Sequence, residues 1–205
     1  MRNINFGYRM KPSNKLIKKL LAIIILSTFI MLPSKADDIK DFQIEGISLG
    51  DSLLKFYSKN ELENKIERQD VYFYKNKKFA DFIFKAKTQE YESLQITINP
   101  NDHKISNVAG RILFVNDMPR CQIKKKKIIS EISSLFPNNK FKTTIKNHAI
   151  DKTGNSKVDE SVMELDNGYI VVECYDWSKK YNYSDKLIIS IRSTEFAEFL
   201  MTAYN

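Results

Sequence analysis

The chain is poor in the residues that most catalytic and cofactor motifs require. Its 205 residues hold only two His, two Cys, six Gly and one Trp. After residue 36 the glycines are Gly46, Gly50, Gly110, Gly154 and Gly168, so no glycine-rich loop exists to cradle a phosphate. His103 and His148 stand about 45 residues apart, and a zinc site takes three or four ligands; no metal and no cofactor are expected. The letters Gly-x-Ser-x-Gly occur once, as Gly46-Ile47-Ser48-Leu49-Gly50, but no strand is read before them as a nucleophile elbow requires, and no serine hydrolase of that type is expected. There is no Pro/Gly/Ser linker, and no apolar run reaches the roughly 20 residues that a membrane-spanning helix needs.

What the chain does have begins at its N-terminus. Arg2, Arg9, Lys11, Lys15, Lys18 and Lys19 precede an uncharged stretch from Leu20 to Leu32, which ends in Pro33-Ser34-Lys35-Ala36. A basic region, an apolar core and small residues at Ser34 and Ala36 form the layout of a secretory signal peptide cut before Asp37. Only the 15 residues 20–34 lie between Lys19 and Lys35, too few for an anchor. Residues 1–36 are therefore read as a signal peptide and 37–205 as one domain, periplasmic or secreted, with no stable span after cleavage. Met10, followed by Lys11-Pro12-Ser13, is a second candidate start.

Export changes the electrostatic reading. The formal charge is +8, from 33 basic and 25 acidic residues. Seven of the basic residues and none of the acidic ones fall in 1–36, which leaves 26 against 25 in the exported part. That balance is no footprint for nucleic acid, and no nucleic-acid partner is expected.

The exported part is long enough for one core. Asp51-Ser52 reads as the cap of a short helix bearing Leu53, Leu54, Phe56 and Tyr57. Val71 to Tyr74 and Phe79 to Phe84 read as a hairpin about residues 75–78; Leu94, Ile96 and Ile98 mark a half-buried strand, and Ile105 to Val115 a longer one. Pro119 opens a helix on which Cys121, Ile128, Ile132 and Leu135 share a face. Strands follow at 141–150, 157–165, 169–177 and 186–192, with Asp166-Asn167-Gly168 as a turn whose residues accept positive φ. Thr194 is the expected cap of a last helix carrying Phe196, Phe199 and Leu200. The predicted fold class is α+β: two halves, each helix plus about four antiparallel strands, in one sheet-based domain with a C-terminal helix.

Cys121 lies on the inward face of its helix, and Cys174 alternates with Ile170 and Val172 along its strand. In an oxidising compartment the pair is expected to form a disulfide, closing a loop of about 54 residues that stabilises by about 4 kcal/mol.

Three segments carry a resemblance: Ile44-Glu45-Gly46-Ile47-Ser48-Leu49-Gly50-Asp51-Ser52-Leu53-Leu54, the Cys121 helix with its lysine run, and Glu173-Cys174-Tyr175-Asp176-Trp177-Ser178. They resemble a group of exported proteins from AT-rich marine bacteria to which no activity is attached. The Gly-Ile-Ser-Leu-Gly-Asp-Ser segment is also similar to the start of outer-membrane assembly lipoprotein and β-lactamase-inhibitor-protein-like modules, a resemblance that implies binding.

Among chemistry-bearing residues, Asp159, Glu160, Glu164 and Asp166 are candidates for the paired carboxylates of glycoside hydrolysis; alternation on a strand with one wet face explains them equally well. Lys124 to Lys127 span all sides of a helix, which brings one or two lysine stems to the core edge. Tyr175, Trp177, Tyr181 and Tyr183 form a candidate binding surface at a strand end and loop. The expectation is an exported, non-catalytic binding or envelope-associated interaction protein with a protein or glycan partner in the cell envelope. The alternative is an envelope hydrolase acting on cell-wall or polysaccharide material.

Overall fold

The computed structural model describes residues 38–203; the signal segment and its cleavage point lie outside the described residues. Eight strands make one antiparallel sheet: β1 Val71–Phe73, β2 Ala80–Lys85, β3 Ser93–Ile98, β4 Ile105–Leu113, β5 Lys142–Asn147, β6 Lys157–Leu165, β7 Gly168–Asp176 and β8 Lys186–Ser193. Their order is β1-β2-β3-β4-β8-β7-β6-β5. Each half is thus a four-strand meander, and the halves join through their last strands, β4 beside β8. A helical segment precedes each meander: α1, Lys59–Glu67, in the first half and α2, Met118–Leu135, in the second. The C-terminal helix α3, Thr194–Ala203, completes the α+β fold. Among the described residues no helix is long and apolar enough to cross a membrane.

Side chains alternate across the sheet, so the register sorts them into two faces. The first face carries Phe82, Leu94, Ile96, Val108, Met163, Ile170, Val172, Leu187, Ile189 and Ile191. The N-terminal segment and α2 close over it with Ile39, Ile44, Ile47, Leu53, Cys121, Ile128 and Ile132 to form the main core. Cys121 and Cys174 are joined as a disulfide across this layer, with Cα atoms 6.2 Å apart. Lys125 is the inward lysine of the 124–127 run. Its ammonium is buried, 2% exposed for the residue, and donates to the Asp159 carbonyl at 2.9 Å and to its carboxylate at 2.5 Å. Pairing on both acceptors is what permits a charge at that depth.

Local structure differs from the expected in four places. The helix expected after Asp51-Ser52 is a single 3-10 turn, Leu53–Lys55, with Ser52 accepting from the Leu54 amide. The full helix of that half is α1, which starts one turn later because Ser58 and Glu61 form a reciprocal capping box. At the C-terminus Thr194 is the first helical residue, and the Ser193 hydroxyl accepts the Phe196 amide as the cap. The Asp166-Asn167 turn joins β6 to β7 as expected, but neither Asn167 nor Gly168 has positive φ. Gly168 is required for another reason: a Cβ there would overlap the Arg192 carbonyl oxygen of neighbouring β8. On the helix α2 face, Leu135 is exposed rather than buried, because the helix ends there and Phe136 fills the core in its place.

Candidate functional site

The second face of the sheet is where the charged residues gather. Strand alternation places Asp81, Gln95, Thr97, Asn107, Ala109, Arg111, Lys186, Ile188, Ser190, Arg192, Tyr169, Val171, Glu173, Tyr175 and Glu160 on it. Helix α3 packs across one end, against β4, β7 and β8. Its Phe196 meets Tyr74 and Phe79 edge to face, with centroids 5.7 and 5.0 Å apart, making a small second core. Beneath and beside the helix lies a groove of about 580 Å³, lined among others by Tyr74, Asn107, Glu160, Glu173, Tyr175 and Arg192.

The groove floor is an internally satisfied polar network. Asp81 accepts from the Tyr74 hydroxyl at 2.9 Å, the Gln95 amide at 2.7 Å and the Thr97 hydroxyl at 2.5 Å. Thr97 in turn accepts from Asn107 at 3.1 Å. Burial pushes the Asp81 carboxyl up, and these three donors oppose the shift. Glu173 stands directly across from Glu160 on β6. Arg192 donates to Glu173 at 2.9 Å and to the Ser190 hydroxyl at 3.1 Å, while Lys146 on β5 donates to Glu160 at 2.8 Å. Burial raises Glu173, the Glu160 charge adds to the rise, and the Arg192 guanidinium works against it. Burial also pushes the Tyr175 phenol up.

Beyond α3 the same face is open, and there the expected aromatic cluster assembles. Trp177 is its centre, with ring centroids 4.1 Å from His148, 4.7 Å from Tyr183, 6.1 Å from Tyr181 and 6.2 Å from Tyr175. The Lys186 ammonium lies 5.4 Å from the Tyr175 centroid and 5.7 Å from that of Trp177, within cation–π range. Two loops hold these rings in place. Asp151 accepts from the Thr153 and Ser156 amides and hydroxyls, which keeps its carboxyl well below the usual range. The Ser178 amide then donates to the Ser156 hydroxyl at 3.0 Å, tying the second loop to the first. The Trp177 amide donates to Asp185 at 2.8 Å and the Tyr181 hydroxyl to the Ile150 carbonyl at 3.2 Å.

Tyr175, Trp177, Tyr181 and Tyr183 are thus brought together, with Tyr183 the most exposed at 56%. Trp177 itself is half-buried among its neighbours. The acidic set is dispersed. Asp159 faces α2 and Lys125, Glu160 faces the groove, Glu164 is exposed on its strand and Asp166 sits in the β6–β7 turn. The carboxylate beside Glu160 is Glu173, which sequence reasoning missed together with Arg192, Arg111 and Lys186. Their signal was a charge set inside an apolar strand run, as in Ile170-Val171-Val172-Glu173-Cys174 and Ile189-Ser190-Ile191-Arg192. Charge at such a place demands a partner. His148 joins the aromatic cluster and His103 lies in the β3–β4 turn; among the described residues no three His, Cys, Asp or Glu are grouped to hold a metal.

Comparison with protein-family models, with curated proteins and with solved structures finds no match for this chain.

Proposed function

We propose that this chain is an exported, non-catalytic binding module of the cell envelope, and that the open end of the sheet's second face is its contact surface. Export rests on the signal layout of residues 1–36 and is supported by the Cys121–Cys174 disulfide, which persists in oxidising compartments. The observation that carries the binding reading is a division of labour on one sheet face. Under α3 the charges answer one another; beyond it Leu113 at 42% and Tyr183 at 56% are exposed beside the aromatic cluster. Tyrosine and arginine with scattered aliphatic groups are the composition of interface centres.

The test compares Leu113→Asp and Tyr183→Asp with Ile123→Asp, which alters an exposed side chain on α2, outside this face. In envelope extracts run by size exclusion, the two face variants should elute as free protein while Ile123→Asp stays in the complex. Equal elution of all three would remove the reading. N-terminal sequencing of the exported protein should begin at Asp37; an uncleaved chain in the membrane fraction would contradict the export step.

A second reading has one observation in its favour. Glu160 and Glu173 oppose each other in a groove, with Glu173 shifted up, as a general acid of a glycoside hydrolase would be. Against it, each carboxylate already holds a cation. Release of reducing sugar from peptidoglycan or polysaccharide by the purified protein, lost in Glu173→Gln, would establish that reading.

A further inference from the structure

Three cations of the sheet layers have found carboxylates: Lys125 has Asp159, Lys146 has Glu160 and Arg192 has Glu173. Two on the open end have not. Arg111 makes no side-chain hydrogen bond or ion pair among the described residues, and its Nε is buried without a partner. Lys186 lies against the rings of Tyr175 and Trp177 and makes no ion pair among the described residues. The register puts them close together. Arg111 on β4 faces Ile188 on β8, and Lys186 lies two positions along β8, itself facing Leu113 and Tyr175. Diagonal neighbours on one sheet face are about 7 Å apart, and each charge disfavours the other; the Lys186 ammonium is held below its ordinary value by burial first and by Arg111 second. With neither cation in an ion pair, the Arg111 guanidinium and the Lys186 ammonium offer the two sides of a carboxylate site, and a carboxylate docked there relieves their repulsion.

We infer that the open end of this face docks a protein partner that places an Asp or Glu carboxylate between Arg111 and Lys186. The inference rests on the binding reading above and adds the chemistry of what is bound. The surroundings favour a protein over an acidic glycan. Sugars need a free aromatic face to stack on, whereas the Trp177 ring is half-buried and already in contact with His148, Tyr183 and Lys186. The exposed apolar group beside the cations is Leu113, directly across from Lys186, which gains by meeting apolar side chains around the carboxylate. Charge complementarity of this kind selects the partner and sets the register of the contact.

The experiment uses the exported protein, isotope-labelled, and follows the Arg111 Nε–Hε resonance together with the backbone amides of Leu113 and Tyr183. The probes are a blocked decapeptide with one Glu flanked by leucines, the same peptide with Gln, and an oligogalacturonate. The Glu peptide should shift Arg111 Hε and bind about tenfold or more tighter than the Gln peptide. Arg111→Gln should abolish that preference with the amide spectrum otherwise intact, and Lys186→Gln should weaken it. If both peptides move the Leu113 and Tyr183 amides with equal affinity, the carboxylate inference falls and the binding surface stands. Absence of any shift at those amides with either peptide overturns both. Tighter binding of the oligogalacturonate at Arg111 overturns the protein assignment in favour of an acidic glycan.

Discussion

Replacing Arg192 by Met should destabilise this protein more than any other single change on the second face, and the loss should depend on pH. Glu173 is 3% exposed and its direct cation is the Arg192 guanidinium at 2.9 Å. Removing one member of a buried pair costs about 3–5 kcal/mol, because the charge left behind has neither water nor a counter-ion. For a domain of this size each kcal/mol moves Tm by about 2–4 °C, so the fall at neutral pH should be about 6–20 °C. The pH dependence follows from the Glu173 carboxyl, which burial already raises and which rises further without Arg192. A carboxyl raised on folding favours the native state in its protonated form. That stabilisation is complete below the unfolded value of about 4.3 and disappears as pH rises through the folded value. Arg192→Met should therefore lie far below the parent at neutral pH and approach it near pH 4, read by thermal unfolding with near-UV circular dichroism. The double variant Arg192→Met, Glu173→Met should regain most of the loss, since a buried pair replaced by apolar side chains is often close to neutral. A deficit under about 1 kcal/mol at neutral pH, or one unchanged with pH, would refute the description of Glu173 as a buried, Arg-held carboxylate.

Lys125→Ala should cost about 3–5 kcal/mol by stranding Asp159 under α2, whereas Lys125→Met should cost less by filling the same volume; urea unfolding measures both. Cys174→Ser should lower stability by about 2–5 kcal/mol, with the Cys121–Cys174 peptide pair recovered by non-reducing mapping of the parent. The His148 imidazole is held below its ordinary value by burial first and by the nearby Lys186 ammonium. A proton magnetic resonance titration should place its midpoint below about 6.5. The stability this neutral ring contributes is present above that value and is lost as pH falls through the folded one. Tyr183→Ala should change stability by under about 1 kcal/mol, against about 2 kcal/mol for the half-buried Trp177→Ala, in parallel calorimetric scans.

The elements carrying a clean period were readable from the chain alone. Helix α2 declared itself through Pro119 and the spacing of Cys121, Ile128 and Ile132, and with Cys174 alternating beside Val172 the disulfide followed. Helix α1 did not, since Lys59-Asn60-Glu61-Leu62-Glu63-Asn64-Lys65-Ile66-Glu67 offers only Leu62 and Ile66 as apolar residues. Its one sign was the Ser58–Glu61 capping box. The buried polar face was hidden for a different reason. Thr97, Asn107, Ser190 and Glu173 alternate with core residues, as the wet side of a half-exposed sheet would, and they are buried because α3 and neighbouring strands cover them. Arg192 and Glu173 meet through β7–β8 pairing, and Arg111 joins their face only through β4 lying beside β8. That junction brings together residues from opposite halves of the chain, and no local period records it. The aromatic cluster was visible as Tyr175, Trp177, Tyr181 and Tyr183, but His148, which touches Trp177 more closely than any of them, arrives from the end of β5.

The contact surface itself is best tested by a photo-crosslinking amino acid placed at position 183, on the open face, and separately at position 123, exposed on α2, in cells exporting the protein. The account predicts one discrete crosslinked product from position 183, suppressed in an Arg111→Gln background, and none from position 123. Equal crosslinking from both positions, or none from 183 with a product from 123, would contradict it.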